Sequence, residues 1–233
     1  MVLGDHSAER KDIVTDIEDL RLLIYDNFRR LGRVTTHEEM ATTLGATEQE
    51  VTRGIAELAT ARHVALDSNG EIVMAHPFAS ITLGFSVMGR ETLWWGGCCW
   101  DSFALPHLLP EEPDVLVATQ CPGCGQPQAW VVNRQRPPTS DWLAHFLVSA
   151  AHVWDDVVHT CGNQRLFCSE DCIAAWLEST GNTRGYVMDI DTLWHFASRW
   201  YEGRLERGYV RRDPASSKDY FRSVGLVDPF WGT

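Results

Sequence analysis

Three residues, Cys98, Asp101 and Cys168, combine ligands for a soft metal with a proton carrier. Cys98 lies three residues before Asp101, in the sequence Gly-Gly-Cys-Cys-Trp-Asp, and Cys168 follows about seventy residues later. Thiolates are the ligands that soft metals prefer, and a carboxylate can accept and return a proton. A second thiol from a distant part of the chain could bind the same metal. We therefore predict that Cys98, Asp101 and Cys168 carry out proton transfer at a thiol-bound metal.

The glycines before Cys98 and the residues after it indicate how this thiol is presented. Gly96 and Gly97 allow the backbone to turn tightly. If a helix begins near Cys99, its dipole favours the thiolate form of Cys98, and Asp101 lies about one turn away. The alternative is that Cys98 and Cys99 are small buried residues without chemistry, which is common for cysteine.

A second group of cysteines has the spacing of a zinc-binding knuckle. Cys121-Pro-Gly-Cys124-Gly places two thiols on a tight turn, and Cys168 and Cys172 are four residues apart at a predicted helix start. Four sulfur ligands are enough for a closed tetrahedral site. The alternative is that some of these cysteines only pack. The sequence thus predicts a structural zinc on Cys121, Cys124, Cys168 and Cys172, with Cys161 as a structural residue.

Four polar residues before Cys161 have spacings of three, four and seven, which could place them on one helix face: His152, Asp155, Asp156 and His159. Such a face could bind a metal. We favour the alternative, that it is solvated or supports a neighbouring site.

The composition limits the class of protein. A chain of 233 residues that is 44% hydrophobic can bury one sizeable core, and its net charge of −12 disfavours a nucleic-acid partner. No apolar run approaches the roughly 18 residues that span a membrane, and the first eleven residues lack the apolar stretch of a signal peptide. Seven cysteines, an odd number, argue against a disulfide framework. We expect a cytoplasmic protein with metal-binding or catalytic thiols and no membrane partner.

The first eighty residues have the pattern of a winged-helix unit. Apolar residues at three- and four-residue steps over residues 13–31 predict one helix, and capping boxes beginning at Thr36 and Thr47 predict two more. A hairpin with its turn at residues 67–70 follows. The third helix is acidic, so we expect a structural or substrate-covering role for this unit in place of DNA binding.

The rest of the chain predicts an α/β domain over residues 81–202 and an extension over residues 203–233. Strands are predicted at 81–88, 115–119 and 128–132, and helices at 101–109, after Ser140 through Ala150, and after Ser169. The extension is predicted as an extended tail packed on the surface. The predicted fold class is therefore α+β, with a winged-helix-like domain at 1–80 before the α/β domain.

These motifs resemble the organomercurial (alkylmercury) lyase family over about residues 15–180. The resemblance is carried by Cys98-x-x-Asp101 with Phe103 to Pro106 after it, by Cys121 in a Cys-x-x-x-Gly turn, and by Phe167-Cys168. It implies protonolysis of a carbon–mercury bond. Cys98 would attack mercury, Cys168 would add a second sulfur, and Asp101 would protonate the leaving carbon.

The resemblance also implies what the reaction consumes and leaves behind. The substrate would be a small organometal compound, the product Hg(II) held by two thiolates, and external thiols would be needed for turnover. No organic cofactor is implied, and a mercury reductase would receive the product. The N-terminal domain would cover the active site.

Residues 167–172, Phe-Cys-Ser-x-x-Cys, also resemble the start of a treble-clef zinc finger of the TRASH type. Two alternatives therefore stay open beside the lyase. One is a zinc-stabilised, lyase-like protein that binds metal or regulates partners without cleaving mercurials. The other is a different enzyme on the same scaffold, acting through Cys98 and Asp101.

Overall fold

The computed structural model describes residues 16–233. In this part of the chain the helices are α1 (Ile17–Leu31), α2 (His37–Leu44), α3 (Glu48–Thr60), α4 (Cys99–Leu108), α5 (Val157–Gly162), α6 (Glu170–Thr180), α7 (Ile190–Ser198) and α8 (Pro214–Ser223). The strands are β1 (Ala65–Leu66), β2 (Ile72–Ala75), β3 (Phe78–Ala79), β4 (Phe85–Met88), β5 (Leu93–Gly96), β6 (Asp114–Gln120), β7 (Pro127–Asn133), β8 (Leu143–Phe146), β9 (Gln164–Phe167) and β10 (Tyr186–Asp189). None of these helices is long and apolar enough to cross a membrane. The expectations for Ile13 and for the first eleven residues lie outside the described residues.

The strands form two antiparallel sheets. The larger has the order β1-β2-β3-β5-β4-β6-β7, and the smaller has the order β10-β8-β9. Helices pack against both, so the predicted α+β class is confirmed. The larger sheet runs across residue 80, because β3 pairs with β5. The division into domains at this residue stays a prediction.

The N-terminal helices are fastened to the larger sheet. Both predicted capping boxes are present, at Thr36 and Thr47, and they start α2 and α3. The indole N–H of Trp94 on β5 donates to the carbonyl of Phe28 on α1 at 2.8 Å. Phe28 also stacks on Phe78 of β3 with ring centroids 5.6 Å apart. These contacts hold α1 against the sheet that leads to the candidate site.

The helix predicted after Ser140 is wrong. Residues Leu143–Phe146 form β8, which lies between β9 and β10 and pairs with both. Ala144, His145 and Phe146 are all buried, so this strand is covered on both faces. A short apolar run of this kind does not distinguish a strand from a helix by its periodicity, and pairing with two distant strands decides it.

The C-terminal extension is not the extended tail that we predicted. It contains α8 and a short 3₁₀ turn at Pro229–Trp231, and it buries Tyr220, Phe221 and Trp231. Before α8, Arg207 forms ion pairs with Asp16 and Asp19 at the start of α1. The extension is therefore integrated into the fold and lies against the N-terminal helices.

Candidate active site

Cys98 immediately precedes helix α4, and its side chain caps the first turn of that helix. Its Sγ accepts the backbone N–H of Asp101 at 3.4 Å, so the thiol occupies the N-cap position. Gly97 allows this close packing, since a Cβ there would lie 2.2 Å from Oδ2 of Asp101. Neither Gly96 nor Gly97 has a positive φ. The two glycines are therefore required because a side chain approaches them closely, and not because the backbone turns there.

Asp101 is buried, contacts groups from two distant parts of the chain and lies within 4.8 Å of a third. The hydroxyl of Tyr201 donates to its Oδ1. The Sγ of Cys161, at the end of α5, lies 3.9 Å from its Oδ2. The same sulfur lies 3.5 Å from Nε2 of His76. The site therefore contains two buried thiols, Cys98 and Cys161, that contact each other and one carboxyl group.

A cavity of about 500 Å³ opens beside these groups. Its lining includes Cys98, Asp101, Cys161 and His76, together with the aromatic side chains of Trp100, Trp154, Trp200, Tyr201 and Trp231. The wall combines residues from the first eighty positions with residues from the C-terminal extension. The first eighty positions and the C-terminal extension thus both contribute to the wall of the cavity.

Burial keeps Cys98 in its thiol form and makes Asp101 a proton carrier near neutral pH. Burial, then the contact with Cys161 and the charge of Asp101, raise the pKa of Cys98 well above its usual value. This outweighs the helix dipole that we expected to favour a thiolate. Burial also raises the pKa of Asp101 to about 6, while the Tyr201 hydrogen bond lowers it. Burial lowers the pKa of His76 to about 3, so this imidazole is neutral.

The four cysteines of the predicted knuckle form a separate cluster. Their sulfurs all lie within 4.8 Å of one another. The Sγ of Cys168 is 3.5 Å from that of Cys124 and 3.4 Å from that of Cys172. Gly123 lets the knuckle approach α6, because a Cβ there would lie 2.4 Å from the carbonyl oxygen of Cys172. Hydrogen bonding with Cys172, followed by burial, raises the pKa of Cys168 to about 12.

The comparisons with known proteins agree with this geometry. The family model for alkylmercury lyase matches residues 82–202, which is just over half of the chain. The chain belongs to the alkylmercury lyase family. A solved structure, the mercury-bound form of MerB2, matches 84% of this chain and 100% of its own, with 16% identity and a TM-score of 0.57. This likeness shows a shared fold. No curated protein matches the chain.

The sequence predicts that Cys168 lies beside Cys98 and Asp101. The structure of this alkylmercury lyase family member does not bring it there. Cys161 lies before β9 and Cys168 lies directly after it, and the four residues of this strand alone span about 13 Å. Asp101 is grouped with Cys161 and His76, whereas Cys168 is grouped with the other knuckle cysteines. Cys161, which the sequence predicts to be structural, is the second thiol beside the carboxyl group.

Two other expectations from the sequence have simple outcomes in the geometry. The residues from His152 to His159 form no metal-binding group among the described residues, where only the knuckle and the Asp101 group qualify. His152 instead contacts Asp155 at 2.7 Å on the surface. Cys99 is fully buried at the first position of α4 and does not line the cavity.

Sequence reasoning missed four residues of this lyase-family site: His76, Cys161, Tyr201 and Arg204. Arg204 lines the cavity, is 4% exposed, and stacks over the ring of Tyr201 at 4.9 Å. The one signal for Cys161 in the sequence is that it is a cysteine that the knuckle spacing leaves unused. The other three join the site only through tertiary packing.

Proposed function

We propose that this protein cleaves carbon–mercury bonds by protonolysis, with Cys98, Cys161 and Asp101 as the reacting groups. The single observation that carries the proposal is the placement of two buried thiols around one buried carboxyl group in a cavity. Membership of the alkylmercury lyase family supports the same reaction. In this proposal Cys161 takes the place that the sequence analysis gave to Cys168.

The first step transfers mercury to the protein. The Sγ of Cys98 forms a bond to the mercury of R–Hg–X as X leaves, where X is a thiolate ligand. The proton of the Cys98 thiol passes to the carboxylate of Asp101, which is one helical turn away. This step depends on an unprotonated Asp101, and the Tyr201 hydroxyl stabilises that form.

The second step breaks the carbon–mercury bond. The Sγ of Cys161 adds to mercury, and the additional sulfur donor weakens the bond to carbon. Asp101 gives its proton to the carbon, whose electron pair moves from mercury to the new C–H bond. The proton of the Cys161 thiol then passes to Asp101, which is again a carboxylate. Two thiol protons thus end on the hydrocarbon and on Asp101, while Hg(II) stays bound to two sulfurs.

External thiols complete the cycle by exchanging with the two cysteines, which take the protons of these thiols, and by carrying Hg(II) away. Asp101 gives its remaining proton to the departed thiolate X, which restores the carboxylate. The Hg(II) would pass to a mercury reductase as the recipient. All seven cysteines are free, which suits a reducing compartment, and we propose the cytoplasm.

The proposal is tested by hydrocarbon release. Purified protein with phenylmercury and excess thiol should release benzene, measured by gas chromatography. Cys98→Ser should abolish the release, because the hydroxyl can keep the N-cap bond to Asp101 but cannot hold mercury. Cys99→Ala is the matched control and should retain turnover. Equal activity of the serine variant and the wild type would exclude Cys98 as the attacking thiol.

Tyr201→Phe should shift the pH profile of this reaction to higher pH. The Tyr201 hydroxyl lowers the pKa of Asp101, which burial raises to about 6. Activity requires the carboxylate at the start, so kcat/KM should rise as the pH increases through this pKa. Without the hydroxyl, that rise should occur at higher pH. Profiles of phenylmercury cleavage between about pH 5 and 9 measure the shift.

Tyr186→Phe supplies the control for this measurement. Tyr186 packs against Phe230 and Trp231 and does not line the cavity. Its variant should keep the wild-type profile. A Tyr201→Phe profile that superimposes on the wild type would show that the hydroxyl does not tune Asp101.

The knuckle cluster suits a structural zinc in the same proposal. Zinc bound to four thiolates at about 2.3 Å separates the sulfurs by about 3.8 Å, close to the distances at Cys168. Cys121 and Cys124 would hold the metal from the β6–β7 turn, and Cys168 and Cys172 from the start of α6. The metal would join the hairpin to the helix and take no part in the chemistry.

Loss of a zinc ligand should lower stability. We expect about one zinc per chain by elemental analysis, and Cys172→Ser should lose it. If the site contributes about 3 kcal/mol, the Tm should fall by roughly 10 °C in a chain of this size. Cys99→Ala should retain both zinc and Tm. A wild-type protein that is purified without zinc and is equally stable with a chelator would contradict the proposed metal.

A further inference from the structure

The cavity has a charge opposite to that of the whole molecule. The chain carries a net charge of −12. Yet five cationic side chains line the cavity: Arg62, Arg204, Arg211, Arg212 and Lys218. The carboxylates of the lining are Asp101 and Asp155, and Asp155 already contacts His152 at the surface. The cavity therefore concentrates positive charge around the two thiols.

These five cations have no carboxylate partner in residues 16–233, where none of them forms an ion pair within 4.0 Å. Arg204 is 4% exposed, and its Nε has no hydrogen-bond partner in the same part of the chain. Arg62, Arg212 and Lys218 are exposed, whereas Arg204 is buried and Arg211 is partly buried. The Arg204 guanidinium donates to the Tyr25 hydroxyl at 3.1 Å and lies over the ring of Tyr201, so its known contacts are neutral groups. Burying such a charge without an opposite charge is costly unless a ligand supplies one. Arg211 also lies near Arg204, and burial and then this like charge lower its pKa.

Aromatic rings hold several of these guanidinium groups in place. Arg211 lies over Trp154 at 4.5 Å from the ring centroid, and Arg62 lies over the same ring at 5.7 Å. Arg212 lies over Trp200 at 5.9 Å. Backbone carbonyls take one donor from each of Arg211 and Arg212. Because an arginine has five N–H donors, both groups keep donors for a planar anion.

We propose that the cavity selects mercury compounds that carry a carboxylate, with Arg211 and Arg212 binding that group while the thiols bind mercury. This specificity rests on the proposed carbon–mercury cleavage. The carboxylate can belong to the organic group that leaves as hydrocarbon or to the thiol ligand that mercury brings with it. Both sources present the same planar anion to the arginines, and the aromatic walls accommodate an aryl ring.

The test compares four combinations of substrate and thiol. 4-Mercuribenzoate and phenylmercury are each assayed with mercaptosuccinate, which carries carboxylates, and with 2-mercaptoethanol, which is neutral. For the wild type we expect kcat/KM to be on the order of tenfold higher with a carboxylate than without one. The substrate pair isolates the organic group, and the thiol pair isolates the ligand.

The double variant Arg211→Gln/Arg212→Gln should lose this discrimination, with the ratio falling to below about threefold. Glutamine retains hydrogen-bond donors but carries no charge. Arg222→Gln is the matched control, because Arg222 lies on α8, pairs with Asp219 and does not line the cavity. It should keep the wild-type ratio. A wild-type ratio near one, or an equal loss for charged and neutral substrates in the double variant, would overturn the proposal.

A binding measurement separates this proposal from the cleavage reaction. Benzoate should quench tryptophan fluorescence saturably, since Trp100, Trp154 and Trp200 line the cavity, and neutral benzamide should not. The double variant should lose the benzoate response. If no mercurial releases hydrocarbon while benzoate still binds in this manner, the cleavage proposal fails and the carboxylate site stands. Absence of the benzoate response in the wild type counts against the site.

Discussion

Replacing Cys161 by serine should remove nearly all hydrocarbon release from phenylmercury while the protein stays folded. The sulfur of Cys161 lies 3.9 Å from Oδ2 of Asp101, inside the same cavity as Cys98. Without it, mercury on Cys98 lacks the second protein sulfur that weakens its bond to carbon. Changes to residues that only support a metal ligand cost about 10–100-fold, so we expect the loss of a direct ligand to exceed about 100-fold.

Cys168→Ser provides the comparison that decides between the two thiols. It should reduce zinc content and Tm, because Cys168 lies in the knuckle cluster. Assayed well below its Tm, it should keep much more activity per folded molecule than Cys161→Ser. The opposite order, with Cys161→Ser active and Cys168→Ser inactive, would restore the assignment made from the sequence and refute the one made from the geometry.

Replacing Asp101 by asparagine should slow the binding of mercury to Cys98 and stop the reaction before the carbon–mercury bond breaks. The amide keeps an acceptor for the Tyr201 hydroxyl and nearly the same volume, but it can neither accept the Cys98 proton nor protonate carbon. General acid–base groups contribute about 10²–10⁴-fold, and we expect a loss in this range. The departing thiolate X can still take the Cys98 proton, so mass spectrometry after a long incubation should detect phenylmercury on the protein, with no benzene in the headspace.

Asp155→Asn is the control for this variant. Asp155 also lines the cavity, but its carboxylate is exposed and contacts His152. Its loss should change cleavage by less than about threefold, in line with the small energies of exposed ion pairs. If Asp101→Asn released benzene at the wild-type rate, the proton would have to reach carbon from water or from another group, and the proposed mechanism would be wrong.

The sequence by itself determined those parts of the protein that depend on neighbouring residues. The capping boxes at Thr36 and Thr47 start helices because their hydrogen bonds span three residues. Cys98 and Asp101 are close for the same reason, being the N-cap and the third residue of one helix turn. The knuckle spacing likewise predicted a cluster of four thiols, since two short segments supply all of them.

Tertiary structure alone decided which thiol accompanies Cys98. Cys161 is 60 residues from Asp101 in the chain, and Tyr201 is 100 residues away. Contacts at such separations depend on how β8, β9 and the C-terminal extension pack, and no local pattern encodes them. The strand β8 shows the same effect, because pairing with two distant strands overrode its helix-like spacing. Burial, which also arises from packing, then set the protonation of Cys98 and Asp101 against the local helix dipole.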